Sequence, residues 1–195
     1  MKLAACALAS VVAVTAAYAA GPIEWAKDVK LSLQDFKQKV PAASTDTAHS
    51  WVGLDVSWEC REGRSESHAH AIFDPQQSWW RGSVPSLWGG LDESSMSRSQ
   101  LENRRTSAER DQDLLRHEQL HFDLTELVAR KIRKQFEALP RICATPGATD
   151  AVEKAIAAIE REWHDEQARY DRETDHGAGQ VKQRQWELRV REALE

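Results

Sequence analysis

His117 and His121 stand four residues apart with Glu118 directly after the first, in the run Arg116-His117-Glu118-Gln119-Leu120-His121-Phe122-Asp123. On a helix, at about 100° per residue, the two imidazoles lie only about 40° apart around the axis and one turn apart along it, close enough to share one metal ion. Glu118 falls about 100° round from His117, beside such an ion and not on it, where a carboxylate can act as a general base. Zinc held by three protein ligands keeps a fourth position for water and lowers that water's pKa to about 7, so a neighbouring carboxylate can take its proton at neutral pH. The spacing therefore predicts Zn2+ on His117 and His121 with Glu118 as the base. Two ordinary histidines are the competing reading, but these two lie beside an apolar stripe, where unpaired imidazoles are costly to bury.

That stripe defines the element that must hold them. Leu114, Leu115, Leu120, Leu124, Leu127 and Val128 recur three and four apart, the period of a helix. Thr106 followed by Glu109 reads as its capping box and Pro140 as its stop, which predicts a helix running to about Ala138. The same helix is poorly placed to supply a third ligand, because Asp123 and Glu126 lie about 240° and 180° round from His117. A second helix opens at Asp150 and Glu153, carries Val152, Ile156, Ile159, Trp163 and Tyr170 on its apolar face, and is broken at His176-Gly177-Ala178-Gly179. His176 at that glycine-broken end, where the backbone can turn a side chain inward, is the candidate third ligand. The alternatives are a helix-end cap for His176 and a carboxylate, Asp171 or Asp175, on the metal. A third helix carries Val181, Trp186, Leu188 and Leu194.

Upstream the period changes to two. Val52, Leu54, Val56, Trp58 and Cys60 alternate with polar or small residues, and Ala69, Ala71 and Phe73 alternate with His68, His70 and Ile72. Arg61-Glu62-Gly63-Arg64 between them reads as the turn of a hairpin, with Ile23 to Leu33 as a candidate third strand. His68 and His70 share a strand face and are read first as ordinary polar-face residues, with metal binding as the lesser alternative. Trp79, Trp80 and Trp88 suit either sealing a core edge or lining a cleft. The fold expected is α+β, an N-terminal antiparallel sheet packed on a C-terminal helical part that carries the zincin-like HExxH helix.

Residues 1–19 read as a secretory signal peptide. Lys2 is the charged start, Leu3 to Ala17 an uncharged apolar run, and Ala17-Tyr18-Ala19 the A-x-A cleavage site. A retained span needs about 20 apolar residues, so no stable membrane insertion is expected after cleavage, and the localisation expected is periplasmic or secreted. Residues 20–195 then suffice for one domain. The formal net charge of −5 argues against a nucleic-acid partner. Cys60 and Cys143 fall in that domain, and in an exported protein such a pair is either a disulfide or two buried thiols.

The run LLRHEQLHFDLTELVARKIRK, the later YDRETDHG, the upstream Ala71, Phe73 and Ser78 to Trp80, and the early LSLQDFK resemble the bacterial domain of unknown function 922, whose members are described as predicted secreted zinc-dependent proteases. Its two strongest elements are HEQxHFD, at His117 to Asp123, and YDxxTxHG, at Tyr170 to Gly177. The resemblance implies a metallopeptidase-like protein and adds weight to His176 as the histidine of the second element. The function expected is hydrolysis of a peptide or related amide outside the cytoplasm, on a peptide or protein substrate with cell-wall peptides among the candidates. Glu118 would serve as base and Tyr170 as a donor to the developing oxyanion. The alternative is a non-catalytic zinc-bound scaffold or binding module of the cell envelope, with four protein ligands and no open position.

Overall fold

Alternation of apolar and polar residues buries one face of residues 52–61 and 64–73, and the two runs pair antiparallel with Leu54 opposite Ala71 and Val56 opposite Ala69. This hairpin is the largest sheet feature in a computed structural model of the chain, which describes residues 21–62, 64–82, 107–137, 143 and 149–195. In chain order the elements are β1 (Ile23–Glu24), a 3-10 turn at Leu33–Asp35, β2 (Ala48–His49), β3 (Val52–Arg61), β4 (Arg64–Phe73), β5 (Trp79–Trp80), α1 (Ser107–Phe136), α2 (Thr149–Thr174) and α3 (Gln180–Leu194). One sheet has the order β1-β4-β3 and a second pairs β2 with β5, all antiparallel. Among the described residues the fold is thus α+β, with antiparallel sheets first and three helices after them. None of the described helices is long and apolar enough to cross a membrane.

α1 is enclosed on three sides because its apolar residues are not confined to one stripe. Phe122 and Ala129 meet Ala71 and Phe73 of β4 together with Leu31 and Phe36 from the N-terminal segment. Val128, Ile132 and Phe136 pack with Ala69 and with Val152, Ile156 and Trp163 of α2. Leu120 and Leu124 meet Tyr170 of α2 and Trp186 and Val190 of α3. Apolar contacts on three sides make α1 the central helix of this part, and the side chains that face its neighbours are correspondingly fixed in position.

The N-terminal segment departs from the expected strand over Ile23 to Leu33. Only Ile23 and Glu24 pair with β4, opposite Phe73 and Ile72. The chain then turns at Lys27 and Asp28, and its next anchor is on α1, where Leu31 N donates to Gln119 Oε1 at 2.8 Å. Trp25 Nε1 likewise donates to Asp123 Oδ1 at 2.8 Å. Gln119, between the imidazoles, and Asp123, after them, thus take up the Leu31 backbone and the Trp25 indole where the pairing with β4 stops. On α3 the buried residues are Gln183, Trp186 and Val190; of the apolar residues read there, Trp186 and Leu194 join the core and Val181 and Leu188 are exposed. His68 and His70 lie on the outer face of β4, paired with Asp55 and Glu24. Trp79 is buried and pairs with β2. Trp88, Thr106, Pro140 and the leader at residues 1–19 lie outside the described residues.

Cys60, near the end of β3, is bonded to Cys143, in the connection between α1 and α2, across a sequence separation of 83 residues. Of the two readings open for this pair, the structure has the disulfide. Closing a loop of that size restricts the unfolded chain, an effect worth about 2–4 kcal/mol. The Cys60→Ala, Cys143→Ala double variant should therefore lose about that amount of unfolding free energy and unfold at a lower denaturant midpoint, with an unchanged far-UV circular dichroism spectrum. An unshifted midpoint would show that the bond adds nothing to stability.

Candidate metal centre

One turn of α1 carries both imidazoles inward. His117 is buried, at 2% exposure, and its Nε2 lies 3.1 Å from Nε2 of His121. Asp171, near the C-terminal end of α2, sets Oδ1 at 3.2 Å from the first of these nitrogens and 2.9 Å from the second. His117, His121 and Asp171 thus form a group whose donor atoms converge as metal ligands do, and no other such group of three occurs among the described residues.

The tautomers decide what this convergence means. Gln167 Nε2 donates to the carbonyl of His121 at 3.0 Å, an atom that can only accept. Its Oε1 is therefore the atom 2.5 Å from His121 Nδ1, and that nitrogen must carry the proton. Gln183 is oriented in the same way, with Nε2 donating to Glu187 Oε1 at 3.1 Å and Oε1 lying 3.3 Å from His117 Nδ1. With each Nδ1 committed to an amide oxygen, both Nε2 atoms face each other and a carboxylate oxygen and are left to share a proton or a cation. A single proton can relieve one of these three contacts, whereas a divalent cation relieves all three. Tetrahedral zinc with bonds of about 2.0–2.1 Å sets its ligand atoms about 3.3 Å apart, close to the separations seen, so the donor set fits such an ion.

The electrostatics carry the same signature. Burial lowers the proton affinity of His121, but the hydrogen bond its ring donates to Asp171 and the charges of Glu118 and Asp171 outweigh it, and the pKa is raised. Burial opposes ionisation of Asp171, yet hydrogen bonds and charge from His117 and His121 prevail and hold its carboxyl well below the usual range. The site is built to attract positive charge.

Glu118 is buried on the neighbouring flank of α1, and both donors of Ser50 fall on its Oε2, Oγ at 2.5 Å and the backbone N at 3.1 Å. Ser50 lies between β2 and β3, in a segment that faces α1 across a cavity of about 550 Å³. Thr47, Trp51, Trp163 and His164 line this cavity together with His117, Glu118, His121, Asp171 and His176. The three donor residues and Glu118 therefore open onto one space large enough for a short peptide segment.

Two site expectations are corrected by geometry. His176 is not among the converging donors. It follows the end of α2 in left-handed backbone, its side chain is 78% exposed, and its Nδ1 stays 3.9 Å from Asp171 Oδ1. Asp171, one of the alternatives, takes that place because it precedes the break, while α2 is still helical and one turn beyond Gln167. Tyr170 is fully buried and does not line the cavity. Its ring stacks on His117 at 4.6 Å, and its hydroxyl donates to Gln183 Oε1 at 2.8 Å, with the carbonyl of His117 3.2 Å away. Burial chiefly, with the charges of Glu118 and Asp171, pushes that hydroxyl's pKa far up, so it stays protonated and serves as a support behind the ligand.

Gln167, Gln183 and Ser50 were not singled out from the sequence. Gln183 carried a signal, as a polar residue three before Trp186 on what proves to be the buried face of α3. Gln167 carried another, standing four residues before Asp171 on the same side of α2. Ser50 carried none, since its contact with Glu118 spans 68 residues.

Residues 92–177 match the family described as bacterial protein of unknown function (DUF922). This stretch contains His117, Glu118, His121 and Asp171. No curated protein and no solved structure matches the chain.

Partners that fix a ligand's tautomer are worth about 10–100-fold in metal affinity. Gln167→Ala should therefore weaken zinc binding by at least about tenfold in a competition titration, with thermal unfolding of the metal-free protein little changed. Unaltered affinity would mean that the amide does not set the His121 tautomer.

Proposed function

We propose that this protein is an exported zinc-dependent peptidase whose metal ligands are His117, His121 and Asp171 and whose general base is Glu118. The observation that carries this reading is the meeting of two imidazole nitrogens and a carboxylate oxygen with a separate, positioned carboxylate on the wall of one open cavity. Three protein donors beside such a cavity suit a catalytic zinc, which keeps a position for water, better than a structural one closed by four. The zincin-like HExxH helix is α1 in this reading. Export is supported by the Cys60–Cys143 bond, since disulfides persist in oxidising compartments, together with the leader pattern of residues 1–19.

A bound divalent zinc supplies Lewis-acid polarisation of a carbonyl and acidifies a water. The side chains of the chain do the rest. Ser50 pins Oε2 of Glu118 through two hydrogen bonds, which sets the rotamer and leaves Oε1 to take a proton from the attacking water. The water oxygen bonds to the carbonyl carbon of the substrate. Glu118 then returns the proton to the amide nitrogen as the carbon–nitrogen bond breaks, so the proton balance closes on one residue. The two imidazoles stay fixed throughout, held by Gln167, Gln183 and Tyr170. The substrate in this reading is a peptide or protein outside the cytoplasm, cell-wall peptides included.

Glu118→Gln should remove at least about 10³-fold of the hydrolysis of casein or of cell-wall peptides while the protein still binds about one zinc, because the proton acceptor goes and the ligands stay. Full activity in this variant would sink the catalytic reading. Asp171→Ala should instead lower zinc affinity by at least about 10²-fold, read by competition with a fluorescent chelator. Tight zinc binding by that variant would return the third place to another residue.

A further inference from the structure

The buried state of Tyr170 leaves the proposed reaction without its expected oxyanion donor, and one side chain at the mouth of the cavity is placed to fill that role. His176 lines the cavity and sets Nδ1 at 3.9 Å from Asp171 Oδ1, the ligand atom supplied by α2. It is too far to join the three donors and near enough to reach a group bound beside them. Its backbone is fixed, with His176 N donating to the carbonyl of Asp171 at 3.0 Å.

The turn that carries it is strained and close-packed. Asp175 and His176 both hold φ near +49°, and Gly177 follows at +86°. L-residues disfavour this region, and such conformations persist where the surroundings over-determine them. The over-determination is visible at Gly177, where an added Cβ would meet His117 Cβ at 3.0 Å and Cγ at 3.1 Å. The turn is thereby wedged against the first ligand, and an exposed imidazole is presented at the rim. As a helix cap alone, that position is better served by glycine or asparagine.

We propose that His176 is a catalytic residue of this site, a hydrogen-bond donor to the oxygen of the scissile amide carbonyl. The inference rests on the peptidase reading above. As water adds to the carbonyl carbon and Glu118 takes its proton, the carbonyl oxygen gains negative charge, and a ring N–H of His176 donates to it. When the carbon–nitrogen bond breaks, the carbonyl re-forms and that hydrogen bond weakens. No proton leaves the ring in either step. A donor of this kind acts on charge that exists only in the transition state, so its loss falls on kcat and not on KM.

The test uses the zinc-loaded full chain, with casein as substrate and N-phosphoryl-leucyl-alanine as a tetrahedral oxyanion probe. His176→Ala should lower kcat by about 10²-fold, leave KM and zinc affinity within about threefold, and weaken the phosphoramidate by about 10²-fold. His176→Asn guards against a folding artefact, because asparagine tolerates left-handed backbone but is too short to reach the carbonyl. It should show the same losses. A tenfold or greater loss of zinc in both variants would make His176 a ligand and overturn the proposal, as would parental turnover and probe affinity. If the zinc-loaded parent binds the phosphoramidate but hydrolyses nothing, the peptidase reading fails, while the comparison of probe affinities still decides the donor. A parent that does neither overturns both.

Discussion

Three electron-pair donors held within 3.2 Å of one another repel unless a cation lies among them, and the helical part of this protein is arranged around holding His117, His121 and Asp171 in that relation. The repulsion acts to rotate the imidazoles away and to pull α2 from α1. Opposing it are side chains with no freedom left. Tyr170 and Gln183 fix His117 from behind, Gln167 fixes His121, and Gly177 closes on the remaining edge of His117. The supporting layer is neutral throughout, since two amides and a phenol do the orienting. Carboxylates in those places would add negative charge to a site that already contains Asp171 and Glu118.

Much of what surrounds the imidazoles in the sequence serves α1 and not the metal. Gln119 and Asp123 lie within the same eight-residue run, yet Gln119 Nε2 donates to Asp123 Oδ1 at 2.9 Å and both receive the N-terminal segment, at Leu31 and Trp25. Glu126, also buried, answers Arg130 and Arg133, and Arg133 reaches the carbonyl of Ala69 on β4. One face of the helix thus presents the donors while the opposite face fastens helix to sheet. That division explains why so polar a helix can be buried on three sides, because its charged groups are matched in the contacts they make.

The parts legible in the sequence were those governed by short-range period. The hairpin of β3 and β4, the bounds of α1 to within two residues of Ala138, and the α2 stripe through Val152, Ile156 and Trp163 all follow from spacing alone. So did the pairing of His117 with His121, one helical turn apart. Contacts between elements were less legible. Ser50 meets Glu118 only because β2 and β3 pass over α1, and the choice of Asp171 over His176 turns on where α2 ends. Two consecutive left-handed residues throw His176 outward after the last helical turn, and although Asp and His enter that region more often than most residues, nothing in their spacing announces two in a row. Tyr170 was misassigned for a related reason. One residue of helix is about 100°, enough to send Asp171 to the donors and its neighbour into the core behind them.

The same arithmetic links the proposed ion to the fold. Two of its ligands lie on α1 and one on α2, so a cation bound there joins two helices that otherwise meet through Trp163, Tyr170 and the apolar residues around them. The disulfide restrains the opposite end of this pair, tying the connection between α1 and α2 to the tip of the hairpin. The ligand end has no covalent tie among the described residues. It depends on packing, on the glutamines and on whatever positive charge occupies the donors. Since a metal that binds only the folded arrangement stabilises it by mass action, the ion in this reading completes the closure of α2 on α1 at the end where the cavity opens. Hydrolysis and the integrity of the α1–α2 junction then depend on the same three side chains, so loss of the metal would loosen the cavity wall as well as remove the Lewis acid.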